Sequence, residues 1–185
     1  MKEFKNYFIY VGNAYPHKNL GRLIEAIVLL NKEVKEDLGL VIASSRGVFT
    51  KRLEELIKKL NAEALVNLLG FVPDEKLELL YKNSAAFVFP SLSEGFGLPG
   101  LEAMAAGTLV LASDIPVFKE VYEENVFYFN PFDPVDIKDA MKKALQMDPF
   151  ERAKLIAKSQ VFVKRYSWIK MAQETLEVYC SVGKI

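Results

Sequence analysis

The chain has 185 residues, 51% of them apolar and 26% charged, which fits one large soluble domain better than two. Its 24 Lys and Arg are matched by 24 Asp and Glu, so no overall field draws it to nucleic acid or to acidic membrane. The lone Cys180 excludes an internal disulfide, and every apolar run falls short of the roughly 20 residues of a membrane span, so the expected location is the cytoplasm. Tyr7–Val11 is an apolar run closed by Gly12 and the turn-forming 13–16, and Lys18–Asn31 follows with Leu20, Leu23, Ile24, Ile27 and Leu30 at helical spacing. Leu38–Ala43 is a second strand, followed by a helix over Thr50–Asn61. Val66–Leu69 is a third strand ending in Gly70, and Asp74 is placed as the N-cap of a helix over Glu75–Asn83.

Further along, Ala85–Phe89 reads as a buried strand stopped by Pro90, Leu98–Ala106 as a small-residue helix ended by Gly107, and Leu109–Ala112 as another strand. A short helix is expected over Phe118–Tyr122 and a closing strand over Phe127–Phe129. The alternation predicts an α/β, Rossmann-like, doubly wound parallel sheet flanked by helices. Asp133 and Pro134 open a helix over Val135–Met147, Asp148 and Pro149 open one running towards Tyr166, and a last one spans Trp168–Val182. These extra C-terminal helices must cover the sheet or reach another domain, because each carries an apolar stripe. The last is expected to leave its apolar side, with Tyr166 and Trp168, exposed or covered by a crystal or dimer contact.

The chemistry concentrates in PSLSEGFGLPGLEAMAAG, Pro90–Gly107, where a strand runs into a glycine-rich loop and then a helix with Pro99 in its first turn. Gly95 and Gly97 allow close approach of backbone to a ligand, and the free amides of the helix start, near Gly97 and Leu98, favour an anion such as phosphate. Glu94 and Glu102, seven residues apart, can face one crevice, where acceptor-only carboxylates suit paired sugar hydroxyls. The alternative is a solvated loop acid and a surface acid that complements the helix dipole.

This segment resembles the E-x7-E signature of retaining glycosyltransferases of family 4, also called group 1, which have the GT-B fold. YVGNAYPHKNLGRLIEA, LLGFVPDEKLELLYKNSAAFVFPS, LVLASDIPVFKEV and the late YSW extend the likeness over essentially the whole chain. The resemblance implies that 1–185 is the nucleotide-sugar-binding C-terminal domain, with an N-terminal acceptor domain absent from the chain and supplied in cis or in trans. It implies transfer of a hexose from a nucleoside diphosphate to a hydroxyl acceptor with retention, and inactivity of the isolated domain. Glu94 would lie beside the donor sugar, Glu102 would accept from the ribose hydroxyls, and Lys18 would support the diphosphate.

The remaining positions implied for the donor are Gly12, Asn13 and His17 in the first loop, Gly95, Phe96, Gly97 and Leu98 in the second, and Phe71 and Val72, whose backbone would hold the base. The family often places an arginine where Asn13 or His17 stands, so a single fixed positive charge, Lys18, is assured. His17 is either a second cation or a neutral loop residue. Arg46, in the run SSRG, is either a phosphate contact or an exposed loop arginine. The PHKN form of the first loop leans towards GDP-mannose over a UDP-sugar. The missing domain could also place the protein at the inner face of a membrane.

No Asp-x-Asp pair, His/Cys cluster or two-His spacing is present, so neither a metal nor a cofactor is expected. Ser93-Glu94-Gly95 lacks the G-x-S-x-G elbow of a hydrolase, and GNAYPHKN lacks the G-x-G-x-x-G of a dinucleotide site. Two other readings stay open: a non-catalytic nucleotide-binding or regulatory module, and an unrelated α/β protein, such as a signalling receiver, using the glycine loop structurally. Nucleotide binding separates that last reading from the others.

Overall fold

A computed structural model describes residues 4–34, 37–44 and 47–183. Six parallel strands form one sheet in the order β3-β2-β1-β4-β5-β6. They are β1 (Asn6–Val11), β2 (Leu38–Ala43), β3 (Val66–Leu68), β4 (Ala86–Phe89), β5 (Val110–Ser113) and β6 (Phe127–Phe129). The central strands read as continuous apolar runs because helices cover both faces of a parallel sheet, and β2 and β4 are buried at every position. Phe8, Ile9 and Tyr10 of β1 and Phe87, Val88 and Phe89 of β4 form the middle of the core.

Between the strands run α1 (Leu20–Glu33), α2 (Val48–Lys59), α3 (Asp74–Lys82), α4 (Leu98–Ala105) and α5 (Pro116–Tyr122), followed by α6 (Pro134–Leu145), α7 (Pro149–Val163) and α8 (Trp168–Gly183). The stripe Leu20, Leu23, Ile24, Ile27 and Leu30 of α1 is buried as its spacing predicts. The helix begins later than Lys18, however, because Pro16–Lys18 forms a separate 3-10 turn and Asn19, at φ 60°, breaks the path between them. Asp133 and Asp148 cap α6 and α7 as expected, their carboxylates accepting from the amides of Val135 and of Phe150 and Glu151. Asp74 does not cap α3. Pro73 holds the extended cap position and Asp74 is the first helical residue, where its charge still complements the helix dipole.

α6 packs along α1, and α7 packs on α4. No residue of α8 is buried, in keeping with the exposed apolar side expected from Trp168 onwards. No described helix is long and apolar enough to cross a membrane.

Candidate functional site

The strand order reverses between β1 and β4: β2 and β3 continue to one side of this pair, β5 and β6 to the other. Connections leaving the carboxyl ends of such a pair diverge, and the crevice between them is where open α/β sheets bind ligands. The two loops are 12–19 after β1 and 90–97 after β4. They are tied together directly, since the Leu92 amide donates to the His17 carbonyl at 2.8 Å. The buried side chain of Asn19 donates to the carbonyl of Pro90 at 3.0 Å and to that of Pro131 at 2.7 Å, holding the loop after β6 against the same junction.

This stitching brings together two residues that lie 76 positions apart. The Lys18 ammonium donates to Glu94 Oε1 at 2.5 Å, with the two side chains only 13% and 12% exposed. Ser91, fully buried two residues past β4, donates its hydroxyl to the same oxygen at 2.7 Å. Neither bond engages Glu94 Oε2. Lys18 Nζ also stands 5.9 Å from the centre of the Phe89 ring. Burial, reinforced by the Glu94 charge, pushes the phenols of Tyr10 and Tyr122 well above their ordinary range, so both remain neutral hydroxyls.

The turn between Glu94 and α4 depends on Gly97, whose φ of 98° lies in a region that side chains avoid. A Cβ there would stand 2.2 Å from the Tyr122 hydroxyl and 2.9 Å from Phe118. Tyr122 uses that proximity, donating to the Gly97 carbonyl at 2.5 Å. No side chain caps α4, and Pro99 lies within its first two positions, where a missing N–H costs nothing. Gly95, in contrast, faces open space. Phe96 and Leu98 flank the turn as exposed residues, Phe96 meeting Tyr166 edge-on.

Glu102 is an exposed residue with its carboxylate partly shielded against α3. The Tyr81 hydroxyl donates to its Oε2 over a long 3.5 Å. Desolvation raises the Glu102 carboxyl above the usual carboxylate range; the Tyr81 hydrogen bond opposes this and nearby Asp74 adds to it. Glu102 borders one concavity of about 420 Å³ with Asp74, Leu77 and Tyr81. It also borders a second of about 310 Å³ with Phe96, Tyr166 and Trp168. Both carboxylates of the E-x7-E pair act electrostatically on the Tyr122 phenol, Glu94 more strongly than Glu102.

Other expected positions lie on the same loops or farther along the sheet. Gly12 turns at φ 144°, the Asn13 carbonyl accepts from the Tyr10 hydroxyl at 2.8 Å, and its side-chain oxygen accepts from the Tyr15 amide at 3.2 Å, so Asn13 shapes the first loop through backbone and side chain alike. His17 is exposed on the 3-10 turn, its ring 6.0 Å from that of Tyr15, with no ion pair among the described residues. Phe71 and Val72 follow β3, two strands from β1, and Phe71 is 80% exposed. Arg46 lies outside the described residues. Among those described, no group of three His, Cys, Asp or Glu side chains could hold a metal. Asn19, Ser91, Tyr81 and Tyr122 are site residues that the sequence reading did not single out. The available signals were an Asn directly before a helical stripe and a Ser three residues ahead of Glu94.

A model of the glycosyl transferases group 1 matches residues 1–162. O-antigen chain mannosyltransferase RfbU of Salmonella typhimurium is 36% identical over 93% of this chain, and O-antigen chain mannosyltransferase B of Escherichia coli is 33% identical over 95%. The chain spans about half the length of these relatives, 46% in each case. Among solved structures, sucrose-phosphate synthase of Thermosynechococcus elongatus superposes with a TM-score of 0.85 at 24% identity, covering 97% of this chain and 46% of that one. The UDP-forming trehalose-phosphate synthase of Burkholderia vietnamiensis gives 0.83 at 14% identity, covering 97% and 45%. The family match over 1–162 and the relatives above 30% identity across more than nine-tenths of the chain show that the chain belongs to the group 1 glycosyl transferases.

Proposed function

We propose that this chain is the donor-binding domain of a retaining hexosyltransferase, and that the crevice between the loops after β1 and β4 holds a nucleoside diphosphate sugar. The observation that carries this reading is the Lys18–Glu94 pair at the sheet's switch point, beside the uncapped start of α4. Lys18 offers a compact positive charge to the diphosphate, and the first-turn amides of α4 offer donors and a favourable dipole to the same group. Neutralising the departing diphosphate stabilises the transition state, because charge develops there as the glycosyl bond breaks. Glu102 has acceptor oxygens for the paired hydroxyls of the ribose, and Glu94 for a hydroxyl of the sugar.

The names of the two mannosyltransferase relatives above, together with the PHKN loop, favour a mannosyl group carried on GDP. The acceptor hydroxyl then comes from a second domain, in cis or in trans. Calorimetric titration with GDP, UDP, ADP and their sugars tests this, in parallel with Lys18→Ala and Glu102→Ala. Saturable binding of one nucleotide, weakened about tenfold or more by each substitution, supports the donor site and identifies the base. Absence of binding to the folded chain at millimolar ligand counts against it. Transfer that stays absent when an acceptor domain is added would favour the regulatory reading.

A further inference from the structure

We infer that the Lys18–Glu94 ion pair distinguishes an intact donor from the spent nucleoside diphosphate, and that its closure expels the latter. The inference rests on the donor-site reading above. Glu94 accepts from the same ammonium that a diphosphate needs, at 2.5 Å and with both side chains largely shielded from water. A diphosphate therefore binds Lys18 by exchange, displacing the carboxylate. Pulling one member from a shielded pair leaves the other uncompensated, which is costly unless a new partner arrives.

An intact donor supplies both partners. Its diphosphate takes Lys18, and a sugar hydroxyl donates to the freed carboxylate. The spent nucleoside diphosphate has oxygens for Lys18 but no sugar donor for Glu94, and it adds like-charge repulsion. Cleavage of the glycosyl bond thus removes the only replacement Glu94 had, and re-forming the ion pair drives the product out. Ser91 makes the exchange reversible in place. It is fully buried and bonded to Glu94 Oε1, so the carboxylate stays anchored when Lys18 turns to the ligand, while Oε2 is untouched by either bond.

The test measures dissociation constants for GDP and GDP-mannose, with the UDP/UDP-glucose and ADP/ADP-glucose pairs alongside, in the wild-type chain, Glu94→Gln and Ser91→Ala. Removal of the competing charge in Glu94→Gln is expected to tighten the nucleoside diphosphate about tenfold, while the sugar nucleotide gains less, so the preference for intact donor collapses. Glu94→Gln should also melt earlier without ligand and be rescued more strongly by the diphosphate than the wild type, because Lys18 is left unpaired. Ser91→Ala, which loosens Glu94 and keeps its charge, should lower the preference about threefold. A diphosphate affinity unchanged or weakened in folded Glu94→Gln, or an unaltered preference in Ser91→Ala, overturns the exchange. If the wild type binds none of the three nucleotide pairs, the donor-site reading itself fails, and that outcome is separable from the others.

Discussion

Asn19 holds φ at 60°, and from that backbone its amide reaches the Pro90 and Pro131 carbonyls while its oxygen accepts from Arg22 at 2.9 Å. Asparagine tolerates the left-handed region better than other side-chain-bearing residues, so conformation and hydrogen bonding select the same residue. Asn19→Ala should cost about 2–4 kcal/mol, from two orphaned carbonyls plus backbone strain, measured by urea unfolding. Asn19→Gly should recover the strain and none of the hydrogen bonds, so a glycine variant as stable as wild type would show that the side chain ties nothing together. Gly97→Ala faces a different obstacle, a Cβ at 2.2 Å from Tyr122 with φ at 98°. It should disrupt the turn and abolish nucleotide binding even where the domain stays folded, an outcome that circular dichroism and calorimetry on the same sample would separate. The Glu94 and Glu102 signature was legible because it is a spacing along one segment. Asn19, Ser91 and Tyr122 were not, because their roles arise from partners brought close by the fold: Asn19 bonds a carbonyl 112 positions away.

On the scale of elements, α1 and α6 meet along a buried seam with an ionic cluster at the Glu33 end. Glu33, at the last turn of α1, accepts from Lys138 at 2.8 Å and Lys142 at 2.7 Å, and Lys138 also meets Asp139 at 2.7 Å. The two lysine hydrogen bonds pull the Glu33 carboxyl from its ordinary 4.5 down to about 2. A carboxyl depressed in the folded state contributes its full stabilisation above pH 4.5 and loses it progressively as the pH falls towards 2. Wild type should therefore lose stability across that interval faster than Glu33→Gln, and the two acid-unfolding curves should converge near pH 2. Parallel curves would show that the pair contributes nothing through the α1–α6 contact. The helix stripes were readable because burial follows a 3.6-residue period, and the β2 and β6 limits were read as they stand. The start of α1 was misread because a 3-10 turn and a left-handed asparagine carry no periodic signature. Asp74 was read as a cap by residue type, but Pro73, with its fixed φ, already supplies the extended entry into α3.

Viewed as a whole molecule, every described strand and every α-helix but α8 has at least one buried residue. Trp168 and Ile169 at its start are 70% and 73% exposed, and Leu176, Tyr179 and Val182 continue the exposed apolar side to the end of the described chain. A helix of 16 residues with no buried side chain contributes almost nothing to the stability of the domain it is attached to. It does enlarge the apolar surface open to water. It meets the site at the cavity that Trp168 and Met171 share with Phe96, Leu98 and Glu102. Removing 168–185 should leave the unfolding free energy from urea titration within about 0.5 kcal/mol of the parent chain, reduce self-association in light scattering, and open the Phe96 side of the turn to solvent. A loss above about 2 kcal/mol would mean that α8 is integral to the core. An unchanged tendency to associate would place the adhesive surface elsewhere. The family match ends at residue 162, five positions before Ser167 and the start of α8, and the stability of the sheet and of the crevice at its switch point should respect the same boundary.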